Sequence, residues 1–100
     1  MQVKIFKLVN GDEVISEYKD DPDIRRTLFV NPAKVVTIPT EDGGMAMALV
    51  PWCLFSNNEE FSIDNSHIII SVDAPNELYN EYNSKFGPGI TDSTKQDIIY

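Results

Sequence analysis

The residues able to do covalent or proton chemistry are few. There is one histidine, His67, and one cysteine, Cys53, with no nucleophile–base arrangement, phosphate-binding glycine loop or metal-ligand spacing around either. Glu59 and Glu60 form a carboxylate pair, but in a polar turn. The run Lys19-Asp20-Asp21-Pro22-Asp23 lacks the glycine and the distal glutamate of a calcium loop and reads as a solvated turn. An enzyme is therefore not expected, and no catalytic residue, metal ligand or cofactor is assigned. Arg25 and Arg26 stand out as adjacent cations, though Asp20, Asp21 and Asp23 lie close enough in sequence to neutralise them. Trp52 suits a packing or interface anchor better than a base platform. Cys53 reads as a small buried hydrophobe.

The overall charge points the same way. Sixteen acidic residues face eight basic ones in a 100-residue chain, for a formal net charge of −8. Affinity for nucleic acid rests largely on neutralising phosphates with Lys and Arg, so a general nucleic-acid coat is disfavoured and DNA is not expected as a partner. The length suits one domain. A single cysteine excludes an internal disulfide, and no leader pattern opens the chain, so a reducing cytoplasmic setting is expected.

The stretch that must position everything else is Met45 to Phe55, eleven residues without a charge. It is too short to cross a bilayer as a helix, and Pro51 interrupts a helix in any case. As a strand it is apolar on both faces, with Met45, Met47, Leu49, Pro51, Cys53 and Phe55 one way and Ala46, Ala48, Val50, Trp52 and Leu54 the other. It is expected not to lie bare on a surface. A second apolar strand follows at His67 to Val72. A chain of this size buries only about two-thirds of its unfolded surface, so the two strands are expected to pair between copies, through Met47, Leu49, Val50, Trp52, Ile68, Ile69 and Ile70. A monomer whose apolar strands close on each other is the alternative.

The remaining elements are short. Gln2–Val9 and Glu13–Tyr18 read as strands joined at Asn10-Gly11, a pair suited to a type I′ hairpin. Arg25–Asn31 and Lys34–Ile38 continue the pattern around a bend at Pro32, and Pro39–Gly44 is a second hairpin turn. Phe61–Ile63 is strand-like. Beyond Asp73 the period changes: Leu78, Tyr82 and Phe86 share one face of a helix that opens after Pro75 and stops at Gly87. Ile98, Ile99 and Tyr100 end a mostly polar tail and are able to dock on a neighbour.

Leu8, Asn10-Gly11 and Val14, then Thr27-Leu28-Phe29-Val30 with Ala33, then a final short strand opened by His67, together resemble the Sm-like (LSm and Hfq-like) family, most closely its small phage-encoded members. The resemblance covers residues 3 to 73. It implies a mainly β fold: a small, strongly bent five-stranded antiparallel barrel at 1–73, with a C-terminal helix over 74–87 packed on it and a flexible tail over 88–100. It also implies a homo-oligomeric ring of about five to seven subunits, in which the fourth strand of one copy pairs with the fifth of the next. In such rings single-stranded RNA threads the pore. The matching positions are Arg26, Thr27, Asp64 and Asn65, with His67 able to contact RNA or merely to cap a strand turn. Arg25 and Arg26, repeated around a pore, would form a basic ring. Asp64 stands where the family carries arginine, reversing the charge beside phosphate. The chain also departs from the family in placing its helix at the C-terminal end of the fold. The expected function is that of an RNA-associated, ring-forming protein with no membrane or small-molecule partner; the alternative is a ring scaffold for proteins that has lost RNA.

Overall fold

The computed structural model describes residues 2–53 and 56–86. Six strands, β1 (Val3–Leu8), β2 (Glu13–Asp20), β3 (Arg26–Pro39), β4 (Met45–Pro51), β5 (Glu60–Asp64) and β6 (Ile68–Asp73), precede one helix, α1 (Asn76–Phe86). All pairings are antiparallel. The order is β4-β3-β2-β1-β6, with β5 also on β3. Among the described residues no helix is long and apolar enough to cross a membrane. The tail beyond Phe86, including Ile98 to Tyr100, and the end of the 45–55 run lie outside the described residues.

Two hairpins share one turn design. Leu8 N–H donates to the Asp12 carbonyl at 2.9 Å while Gly11 N–H donates to Leu8, and Thr40 and Gly43 repeat the pattern with Gly44 and Thr40. Gly11 (φ 95°) and Gly43 (φ 87°) take the left-handed position that closes each loop. Asn10 keeps a negative φ, so the expected type I′ turn is replaced by a three-residue loop. The Asn10 side chain instead accepts from Asp12 N–H at 3.0 Å.

The sheet is an open six-stranded antiparallel sheet, not the strongly bent five-stranded barrel expected. Closure needs an unbroken circuit of ladders. Among the described residues β6 pairs only with β1, and β4 and β5 only with β3, so the circuit stops at both ends. The extra strand arises because β4 and β5 are successive segments facing one long β3. Between the Ala33↔Pro51 and Val30↔Glu60 pairs, β3 passes through two residues while the other side passes through eight. Asn31, at φ 52°, and Pro32 make the bend. They lie opposite Ser16 alone, where the β2–β3 register shifts. The Asn31 N–H reaches the Glu59 carbonyl at 2.7 Å, and the Pro32 carbonyl accepts from Trp52 N–H at 3.0 Å.

α1 lies across one face. Leu78 and Tyr82 are buried against Ile15, Ala33 and Leu49, with Phe86 packed on the same cluster, as the helical spacing predicts. The Tyr82 hydroxyl accepts from Glu17 N–H at 3.0 Å and lies 2.7 Å from the Val30 carbonyl. It thereby satisfies backbone groups that the bulge leaves without ladder partners. Burial pushes this phenol up to about 12. The other face holds Phe6, Leu8, Val14 and Phe29.

Candidate nucleic-acid interface

The loop before β3 and the turn before β6 meet because β3 and β5 pair through Arg26↔Asp64 and Thr27↔Ile63. The chain then turns through a 3₁₀ segment, Asn65–His67, capped by Asp64, whose Oδ1 accepts from Ser66 N–H at 2.9 Å. That bond, more than the nearby cations, holds the Asp64 carboxyl below its usual range. Thr27 Oγ1 donates to Asn65 Oδ1 at 2.6 Å, and Asn65 N–H donates to the Arg25 carbonyl at 2.9 Å. Thr27 and Asn65 are therefore brought together.

The arginines are already engaged. Arg25 is exposed and forks onto Asp23, with Nη2 3.1 Å and Nε 3.2 Å from its two carboxylate oxygens. The guanidinium in turn holds the Asp23 carboxyl below its usual range. Arg26 donates to Ser62 through Nε (2.6 Å) and Nη2 (2.8 Å), and Nη1 lies 3.8 Å from Asp64. Ser62 itself donates to Asp21 at 2.7 Å. These contacts turn the arginines toward the chain's own acids.

His67 is exposed on the far side of the 3₁₀ turn, in a small apolar hollow with Leu8, Val9, Asn10, Trp52 and Ile63, apart from Thr27 and Asn65. Thr27 and Asn65 instead border a concavity of about 370 Å³ with Lys4, Phe6, Tyr18, Asp20 and residues of β6. The Tyr18 ring stands edge-on to buried Phe6, with centroids 5.6 Å apart and planes at 82°. Lys4, Tyr18 and Asp20 were not singled out from sequence as members of a site. Alternation along β1 and β2 puts Lys4 with Phe6 and Tyr18 with Asp20, but only the register, Asp20 facing Thr27, joins them to the loop.

The residues assigned to subunit contact divide. Met47, Val50, Ile69 and Ile70 are exposed on β4 and β6. Leu49 is buried beneath α1, and Trp52 and Ile68 pack on the opposite core, where Trp52 Nε1 donates to Asp12 at 3.1 Å. The surface expectation for 45–55 needs correction: Met45, Ala46 and Met47 lie open in the single chain, since β4 borders the sheet. Cys53 is likewise exposed rather than buried.

Among the described residues no group of three or more His, Cys, Asp or Glu is placed to hold a metal ion. No curated protein matches the sequence. Residues 5–83 match the Sm-like domain, a match that includes most of α1 and does not single out phage-encoded members. With about four-fifths of its length so matched, the chain belongs to the Sm-like domain family.

Proposed function

We propose that the chain is the subunit of a homo-oligomeric Sm-like ring that binds single-stranded RNA. The observation that carries the assembly is the pair of apolar borders, unpaired among the described residues, at opposite ends of one sheet: β4 with Met47 and Val50, β6 with Ile69 and Ile70. A strand edge of this kind is a template for another chain. A border at each end lets every copy donate one and receive one, as a closed head-to-tail assembly requires. Sm-like proteins are non-catalytic, and membership of that family supports a binding role for this chain.

RNA fits the concavity around Tyr18 and Lys4, where an aromatic ring and a cation sit beside the Thr27–Asn65 pair. A protein scaffold is the second reading, favoured by the engagement of Arg25 by Asp23 and of Arg26 by Ser62 and Asp64. Native mass spectrometry of the wild-type protein, alone and with short RNAs at two salt concentrations, separates them. A discrete oligomer carrying RNA that is lost at high salt is the expected result. An oligomer indifferent to every RNA favours the scaffold, and a monomer overturns both.

Met47→Asp and Ile70→Asp, each on one border, are expected to collapse the oligomer to monomer without unfolding it. An unchanged mass for both would rule out edge pairing. Leu49→Asp is a poorer probe, because Leu49 belongs to the core under α1.

A further inference from the structure

We infer that the concavity beside Tyr18 is a guanine site, in which the Asp20 carboxylate reads the base. This deepens the RNA reading above and rests on it. The argument is one of matching donors to acceptors. Asp20 ends β2, is exposed, and sits opposite Thr27 across the β2–β3 ladder. No hydrogen bond or ion pair engages its carboxylate among the described residues, whereas Asp12, Asp21, Asp23 and Asp64 are all engaged. Tyr18, two residues earlier on the same face, is braced by Phe6 and lines the concavity, where its ring would stack on a planar ligand. Lys4 supplies a cation to the same hollow and makes no ion pair among the described residues.

An ionised carboxylate accepts hydrogen bonds only. Guanine presents two adjacent donors, N1–H and the 2-amino group, which one carboxylate can take together. Uracil presents a single N–H between two carbonyls that repel the anion. Adenine and cytosine place a ring-nitrogen acceptor beside their amino donor. The guanine O6 acceptor is the natural partner for the Lys4 ammonium. A volume of about 370 Å³ accommodates a purine nucleotide. The negative charge that weakens phosphate binding thus becomes the element that selects the base.

The test uses the full-length protein with labelled oligo-A heptamers carrying A, G, C, U or inosine at the centre, and in parallel guanosine 5′-monophosphate followed by NMR. The central G is expected to bind about 10-fold to 100-fold more tightly than A or U, the span of one good bidentate base contact. Inosine, which lacks the 2-amino donor, should lose most of that gain. Asp20→Asn should erase the preference, and the lost negative charge should raise the affinity for all the heptamers alike. Equal binding of all heptamers, or a preference that survives Asp20→Asn, overturns the guanine site while leaving RNA binding intact. Binding of the mononucleotide with an Asp20-dependent shift, but of no heptamer, keeps the site and overturns the RNA reading. Binding of neither overturns both.

Discussion

The two faces of the sheet solve opposite problems. Under α1 the buried hydroxyls are paired: that of Tyr82 answers the backbone of Glu17 and Val30, and that of Ser16 lies 2.7 Å from the Glu17 carbonyl and 3.1 Å from that of Val30. The other face has an equally apolar floor in Phe6, Leu8, Val14 and Phe29, but its rim places Lys4, Tyr18 and Asp20 around a concavity. One face is therefore committed to stability. At the rim of the other, the exposed Asp20 is expected to change without disturbing the fold.

The largest expected effect lies on the helix face. Tyr82→Ala removes a fully buried ring and should cost about 3–5 kcal/mol, a large share of the stability of a domain this size. Tyr82→Phe keeps the ring and should cost about 1–3 kcal/mol, chiefly through the Glu17 N–H that loses its acceptor, since the Val30 carbonyl keeps the Ser16 hydroxyl. The two variants also differ from wild type in pH response. Because the folded phenol titrates near 12 rather than 10, the unfolded chain releases this proton first as pH rises. Wild-type stability should therefore fall between about pH 10 and 12, and Tyr82→Phe should flatten that part of the slope. Urea unfolding across this range reads both effects. An equal alkaline slope in Tyr82→Phe would show that the phenol is not the group responsible.

A smaller effect joins the two faces to the border. Asp12 accepts from Trp52 Nε1 at 3.1 Å and lies 3.2 Å from Lys34 Nζ, and the indole bond is the main cause of its lowered pKa. Its contribution is present above the ordinary carboxylate value and is lost as pH falls through the lower folded value. Solvent screening limits it to below about 1 kcal/mol. Asp12→Asn should lose this amount at neutral pH and be less sensitive to acid below about pH 4. Thermal melts of the two proteins at pH 7 and pH 3 would reveal the convergence, and a constant difference in Tm would argue against it.

How far the sequence revealed this arrangement depends on the range of each interaction. Helix α1 was legible because Leu78, Tyr82 and Phe86 repeat at local spacing, and the family resemblance was legible because Asn10-Gly11 and the strand beginning at Thr27 are contiguous motifs. The open sheet was not. Whether β4 continues into β5 against a single partner depends on a bend at Asn31 and on pairing across more than twenty residues, and neither leaves a periodic trace. The same limit hid the rim. Arg25 and Arg26 were conspicuous as neighbours in sequence, yet the fold sets them against Asp23, Ser62 and Asp64. Lys4 and Asp20 were inconspicuous and face the concavity.

That contrast yields the smallest expected change in stability. Asp20→Asn alters an exposed side chain at the last residue of β2, with no hydrogen bond to lose among the described residues. Its cost should lie within about 0.5 kcal/mol, as for a surface substitution away from caps and networks. The same substitution is the one expected to remove base selection. A variant that leaves the melting curve in place and erases the preference among the heptamers would show that the rim carries recognition independently of the fold. If Asp20→Asn instead lowered stability as much as Tyr82→Phe, the carboxylate would be a structural group. The division of labour between the two faces would then be wrong.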